Sequence, residues 1–88
     1  MPERIARMRA RLTGALAPTE LEIIDESHLH AGHAGARSGR GHYALVIRSA
    51  VFTGKAPLQR HRMVYEALGD MMQTDIHALS IRALAIAE

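Results

Sequence analysis

The segment His42-Tyr43-Ala44-Leu45-Val46-Ile47-Arg48-Ser49 decides how this chain folds. Its apolar residues occupy both faces of an extended chain, which predicts a strand in the middle of a sheet with a neighbour on each side. Upstream, Thr19-Glu20-Leu21-Glu22-Ile23-Ile24-Asp25 alternates Leu21 and Ile23 with Glu20 and Glu22, and Ile24 adds apolar surface on the other side. That pattern predicts a first strand. Between the two, Glu26 to Gly41 is rich in glycine, serine and histidine. A loop of about fifteen residues without secondary structure is uncommon, and it is usually either disordered or functional.

Working outward, Ile5, Met8, Leu12 and Leu16 recur at helical spacing, with Arg4, Arg7 and Arg11 along a polar face. Gly14 weakens the end of this helix and Pro18 closes it. Downstream, Val51-Phe52-Thr53-Gly54-Lys55 forms a compact turn, and Pro57 suits the first position of a second helix. The spacing predicts that this helix runs to about Met72, with Leu58, Tyr65, Leu68 and Met72 along one face and Val64 and Met71 beside it. Leu79 to Ile86 reads as a third strand, with Asp75 capping the tight turn that leads into it. The order helix-strand-strand-helix-strand predicts one α/β (α+β) domain over residues 1–88, with a small mixed three-stranded sheet and both helices on one face. Arg48 and Arg82 are placed on the other, partly open face.

Composition narrows the function classes. The chain has 88 residues, six histidines, no cysteine and a formal charge of +2. The missing cysteine excludes a disulfide scaffold and a four-cysteine zinc fold. No stretch approaches the roughly 18 apolar residues of a membrane span, and the N-terminus lacks the apolar core of a signal peptide, so a cytoplasmic location is expected. All eleven basic residues except Lys55 are arginine, which favours planar, bidentate contacts with carboxylate or phosphate. Aromatic residues are scarce, against a stacking surface for single-stranded nucleic acid.

The chemistry-bearing residues are mostly histidines. His30 and His33 lie three apart in the glycine-containing loop beside Asp25-Glu26, where imidazoles can converge on a metal or simply face solvent. His77 sits where a turn enters an apolar strand, as either a half-buried hydrogen-bonded residue or a ligand at the sheet edge. His61 shares the stripe of Leu58, Tyr65 and Leu68, which predicts a packed or hydrogen-bonded ring. Lys55, Arg60 and Arg62 make a candidate positive patch for phosphate contact, and an ordinary solvated helix face fits them equally well. No nucleophile, base and orienting group can be picked out, and no phosphate-binding glycine loop with its lysine is present, so an enzyme is not expected.

With these residues in view, the chain resembles the BolA family over nearly its whole length. The resemblance is carried by Asp25-Glu26-Ser27 with the following histidines, by Phe52-Thr53-Gly54 followed by Leu58-Gln59-Arg60-His61-Arg62, by Val64-Tyr65, and by Ile76-His77-Ala78-Leu79-Ser80-Ile81. It implies a fold like the class II KH domain and a non-enzymatic adaptor that binds a monothiol glutaredoxin. The heterodimer can hold a [2Fe-2S] cluster, with thiolates from glutaredoxin and glutathione. The BolA-like chain supplies a histidine before the last strand, here His77, and a second ligand from the loop between the first two strands. His30 fits the Asp-Glu-Ser-x-x-His pattern and His33 lies deeper in the loop; these two are favoured, with His42 as a third option. Some members of the family are linked to transcriptional control, stress response and cell shape. This makes a small DNA-binding regulator using Lys55, Arg60 and Arg62 the alternative, although the Gly-x-x-Gly loop of KH domains is missing.

Overall fold

The computed structural model describes residues 2–27 and 40–88. Helix α1 spans Pro2–Leu16, strand β1 Glu20–Asp25 and strand β2 Gly41–Arg48. A short 3-10 turn, Ala50–Phe52, leads to α2 (Pro57–Leu68), α3 (Met71–Thr74) and β3 (Ile76–Leu84). β2 is central: it pairs antiparallel with β1 and parallel with β3, in a mixed three-stranded sheet with the helices on one face.

Alternation along β2 divides the sheet into two surfaces. Tyr43, Leu45 and Ile47 are buried together with Met8, Leu12 and Leu16 of α1 and Val64 and Leu68 of α2. Phe52, Met71 and Ile76 complete this core. On the opposite face, the register aligns Glu22, Val46 and Arg82 in one row and Ile24, Ala44 and Ser80 in the next. Arg82 is exposed there as expected. Arg48 instead folds over its neighbours, donating to Glu20 at 2.7 Å and to the carbonyls of Ala85 and Glu88 at 2.9 Å.

Helix α1 ends where Ala17 takes a positive φ of 46° before Pro18. Buried Ser49 ties that end to the sheet: its hydroxyl donates to the Leu16 carbonyl and accepts from the Val51 amide at 3.2 Å. Helix α2 starts at Pro57, where the Gln59 side chain accepts from the Ala56 amide at 2.8 Å.

The second helix departs from the sequence reading in two ways. It stops at Leu68 rather than near Met72, because Gly69 adopts φ 58° and ψ −130°, a conformation open to glycine and strained for other residues. Arg11 of α1 then caps the break by donating to the Leu68 carbonyl at 2.6 Å and to Asp70 at 2.8 Å. The buried stripe is also rotated: Val64, Leu68 and Met71 are inside, whereas Leu58 is 62% and Tyr65 41% exposed. His61 is half-buried. Strand β3 begins three residues earlier than read from sequence, because Ile76 is fully buried and pairs with Gly41.

Gly41 is required by packing rather than by its dihedrals. A Cβ there would stand 2.6 Å from the buried Tyr43 ring. Gly41→Ala is therefore expected to lose about 1–3 kcal/mol of folding stability, the usual cost of overpacking a close contact. Urea unfolding should show this as a lower midpoint with an unchanged slope.

Candidate metal-binding face around His77

The stretch Asp25-Glu26-Ser27 bends the chain out of β1 and holds the start of β2 as it does so. The Asp25 carboxylate accepts from the Ser27 amide at 2.9 Å, a local turn that short acidic side chains favour. Ser27 in turn accepts from the His42 amide at 3.1 Å, and the Glu26 amide donates to the His42 carbonyl at 2.8 Å. The His42 backbone is thus gripped on both its polar groups. His42, on the face shared with Ala44 and Val46, is buried, at 7% exposure.

His77 lies inside β3, not in a turn before it. It is exposed, and its ring centroid is 5.0 Å from that of His42, with the planes tilted by 49°. These two imidazoles are the site residues that the structure brings together. His42, the third option by sequence, is the one beside His77; His30 and His33 lie outside the described residues. A recess beside the pair is lined by Glu26, His42, Tyr43, Ala78, Leu79 and Ser80. A separate groove, along α1 at Ile5, Arg9 and Thr13, shares none of these residues.

Behind the pair sits a charged cluster that sequence reading did not find. The Asp75 carboxylate, 7% exposed, accepts from Arg4 at 3.1 Å, Arg7 at 2.5 Å and Thr74 at 2.6 Å. It does not cap the turn through backbone amides, as expected from sequence, because two arginines from α1 reach it first. Arg4 also approaches the Tyr43 hydroxyl at 3.4 Å. Arg40 donates to the carbonyls of Met72 at 3.1 Å and Ile76 at 2.9 Å. The partners are separated by 71 and 68 residues in the chain, so only the polar arginine face of α1 could have hinted at them.

Among the described residues, no group of three or more His, Cys, Asp and Glu side chains could hold a metal ion. Of the proposed phosphate-binding patch, Lys55 and Arg62 are exposed. Arg60 is engaged within the fold: both its terminal nitrogens meet the Glu88 carboxylate, and it donates to the carbonyls of Lys55 at 2.8 Å and Ala83 at 3.0 Å.

The family model for BolA-like proteins matches residues 12–88. The chain belongs to the BolA family. Members of this family are non-catalytic. The chain is 39% identical over 82 residues to the DNA-binding transcriptional regulator BolA of Escherichia coli, covering 93% of this chain and 75% of the relative. It is 44% identical to the SufE-like protein 1 of Arabidopsis thaliana, over 93% of this chain but only 24% of that protein. It is also 44% identical to mouse BolA-like protein 1, over 89% of this chain and 55% of that protein. The chain therefore spans about a quarter and about half of the length of these last two relatives. Among solved structures, the BolA domain of SufE1 from Arabidopsis thaliana superposes with a TM-score of 0.84 at 43% identity, covering 96% of this chain and 93% of that one. No helix among the described residues is long and apolar enough to cross a membrane.

The charged cluster makes stability depend on acid. The hydrogen bond from Thr74, followed by those from Arg7 and Arg4, holds the Asp75 carboxyl below its usual range against the opposing effect of burial. Arg60 and then the Ala85 amide pull Glu88 down from 4.5 to about 2. Both groups bind fewer protons folded than unfolded, so their stabilisation is complete above the unfolded carboxylate pKa and is lost as pH falls through the depressed folded values. Urea midpoints measured between about pH 2 and pH 6 should fall on the acid side, and less steeply in Asp75→Asn than in the wild type.

Proposed function

We propose that this chain is an adaptor in iron–sulfur cluster trafficking or iron sensing, pairing with a monothiol glutaredoxin to hold a [2Fe-2S] cluster between them. The observation that carries this reading is an exposed His77 beside His42, on a chain without cysteine. Two neighbouring imidazoles suit a transition metal, but four ligands are needed to complete such a cluster. A site that draws its thiolates from a glutaredoxin cysteine and from glutathione meets that need. His77 is the principal ligand of this chain. The second nitrogen comes from the loop residues His30 or His33, or from His42, whose ring already lies at hand. The cluster is cargo, and the part of this chain is to present nitrogen donors on an accessible face. Membership of a family that includes a SufE-like protein supports the same reading.

Imidazole ligation changes the spectrum and potential of a cluster relative to an all-thiolate site. Anaerobic reconstitution with a monothiol glutaredoxin, glutathione and iron should give a heterocomplex whose visible absorption and circular dichroism change in His77→Ala. An unchanged spectrum would remove His77 from the ligand set. The same measurement on His30→Ala, His33→Ala and His42→Ala identifies the second ligand.

A second reading is favoured by similarity to the DNA-binding transcriptional regulator of Escherichia coli: a small DNA-binding regulator with a KH-like fold, contacting phosphates through Lys55 and Arg62. With Arg60 committed to Glu88, the exposed charge is reduced to those two residues. Binding to duplex DNA should then weaken steeply with salt, and the salt slope should fall by about one on removal of a phosphate contact in Arg62→Ala. Absence of binding at low salt excludes this reading.

A further inference from the structure

The exposure of His77 contradicts the alternation of its own strand. Tyr43 pairs with Leu79, Leu45 with Ile81 and Ile47 with Ala83, all on the helix-covered side. Position 77 has the same parity as Leu79 and Ile81, so a regular strand would turn its side chain toward the core. The ring instead lies beside His42, whose parity with Ala44 and Val46 assigns it to the open face. The register explains the difference. Gly41 pairs with Ile76 and His42 with Ala78, so His77 is an extra residue at an irregularity in the parallel ladder. A bulge of this kind re-aims a side chain.

This bulge is anchored on its near side. The Gly41 amide donates to the Asp75 carbonyl at 2.9 Å, fixing the residue that precedes the pairing. The Asp75 carboxylate is held to α1 by Arg4 and Arg7. Arg40, next to Gly41 in sequence, holds the Ile76 carbonyl. On the far side, the apolar alternation of Leu79 and Ile81 keeps the strand from slipping, because a shift by one residue would drive Ser80 and Arg82 into the core. Relaxation can therefore occur only before the bulge. There, His77 would take the place of Ile76 opposite Gly41, and its ring would turn toward the helices.

We propose that Asp75, clasped by Arg4 and Arg7 of α1, is the positioning element that keeps this bulge in place and so presents His77 to a metal beside His42. The metal-facing role rests on the function proposed above; the control of ring placement does not. The N-terminal helix thereby acts on the ligand face without contributing a ligand. Arg4, Arg7 and Asp75 are positioning residues, and none of them touches the metal.

The test has two readouts. In the isolated chain, the nuclear Overhauser contact between the His42 and His77 rings should be present in the wild type and lost in Asp75→Asn and in Arg4→Gln/Arg7→Gln. It should be retained in Arg4→Lys/Arg7→Lys, which keeps both cations. In the glutaredoxin heterocomplex, the visible circular dichroism of Asp75→Asn should shift toward that of His77→Ala. If Asp75→Asn does not fold, Arg7→Gln alone carries the test, since Arg7 is the more exposed partner and Arg4 remains. A folded Asp75→Asn, Arg4→Gln/Arg7→Gln or, in their absence, Arg7→Gln variant that keeps the ring contact and the wild-type spectrum overturns the proposal. A wild-type spectrum insensitive to His77→Ala overturns the functional reading instead, and the ring contact in the isolated chain then decides the positioning role by itself.

Discussion

Strand β2 has to present Tyr43, Leu45 and Ile47 to the helices while pairing antiparallel with β1 on one side and parallel with β3 on the other. The parallel ladder meets this demand over Ala78–Leu84 only by giving up regular register at Gly41 and His42. The core alternation and the burial of Ile76 are both satisfied, and the residue left over is His77. The placement of His77 beside His42 follows from this packing constraint. Glycine at 41 is part of the same arrangement, because the Tyr43 ring occupies the space that a side chain would need.

The arginines explain how so small a domain holds its parts together. Arg11 closes the broken end of α2, Arg48 gathers Glu20 and the C-terminal carbonyls, Arg60 grips Glu88, and Arg4 and Arg7 share Asp75. Exposed ion pairs of this kind add little individually. The Asp75 cluster differs because its carboxylate is nearly buried and accepts three hydrogen bonds, so removing one partner would leave a poorly solvated charge. The arginine-rich composition thus has a structural use, through planar donors that reach several acceptors at once. It also explains why a positive count is a poor guide to a nucleic-acid surface here. Much of the charge is answered from within.

The element order, the central place of HYALVIRS and the antiparallel and parallel pairings were legible from apolar periodicity, because alternation of period two and recurrence of period 3.6 are local properties. The helix break at Gly69 was less legible. Glycine inside a helical pattern is compatible with continuation, and the decision came from its left-handed backbone and from Arg11 arriving to cap it. Leu58 and Tyr65 misdirected the choice of buried face, since their apolar character says nothing about which neighbour covers them.

The sequence by itself determined the family, the α+β order and the candidacy of His77, since each rests on residue type and spacing along the chain. Tertiary structure decided which of the described histidines stands beside it, which face of the sheet it uses and which arginines gather at Asp75 nearby. The reason is physical. Side-chain direction in β3 depends on a register break set by Gly41, Tyr43 and Ile76 together, and the Asp75 clasp joins residues about seventy positions apart. Neither can be read from a pattern confined to one segment.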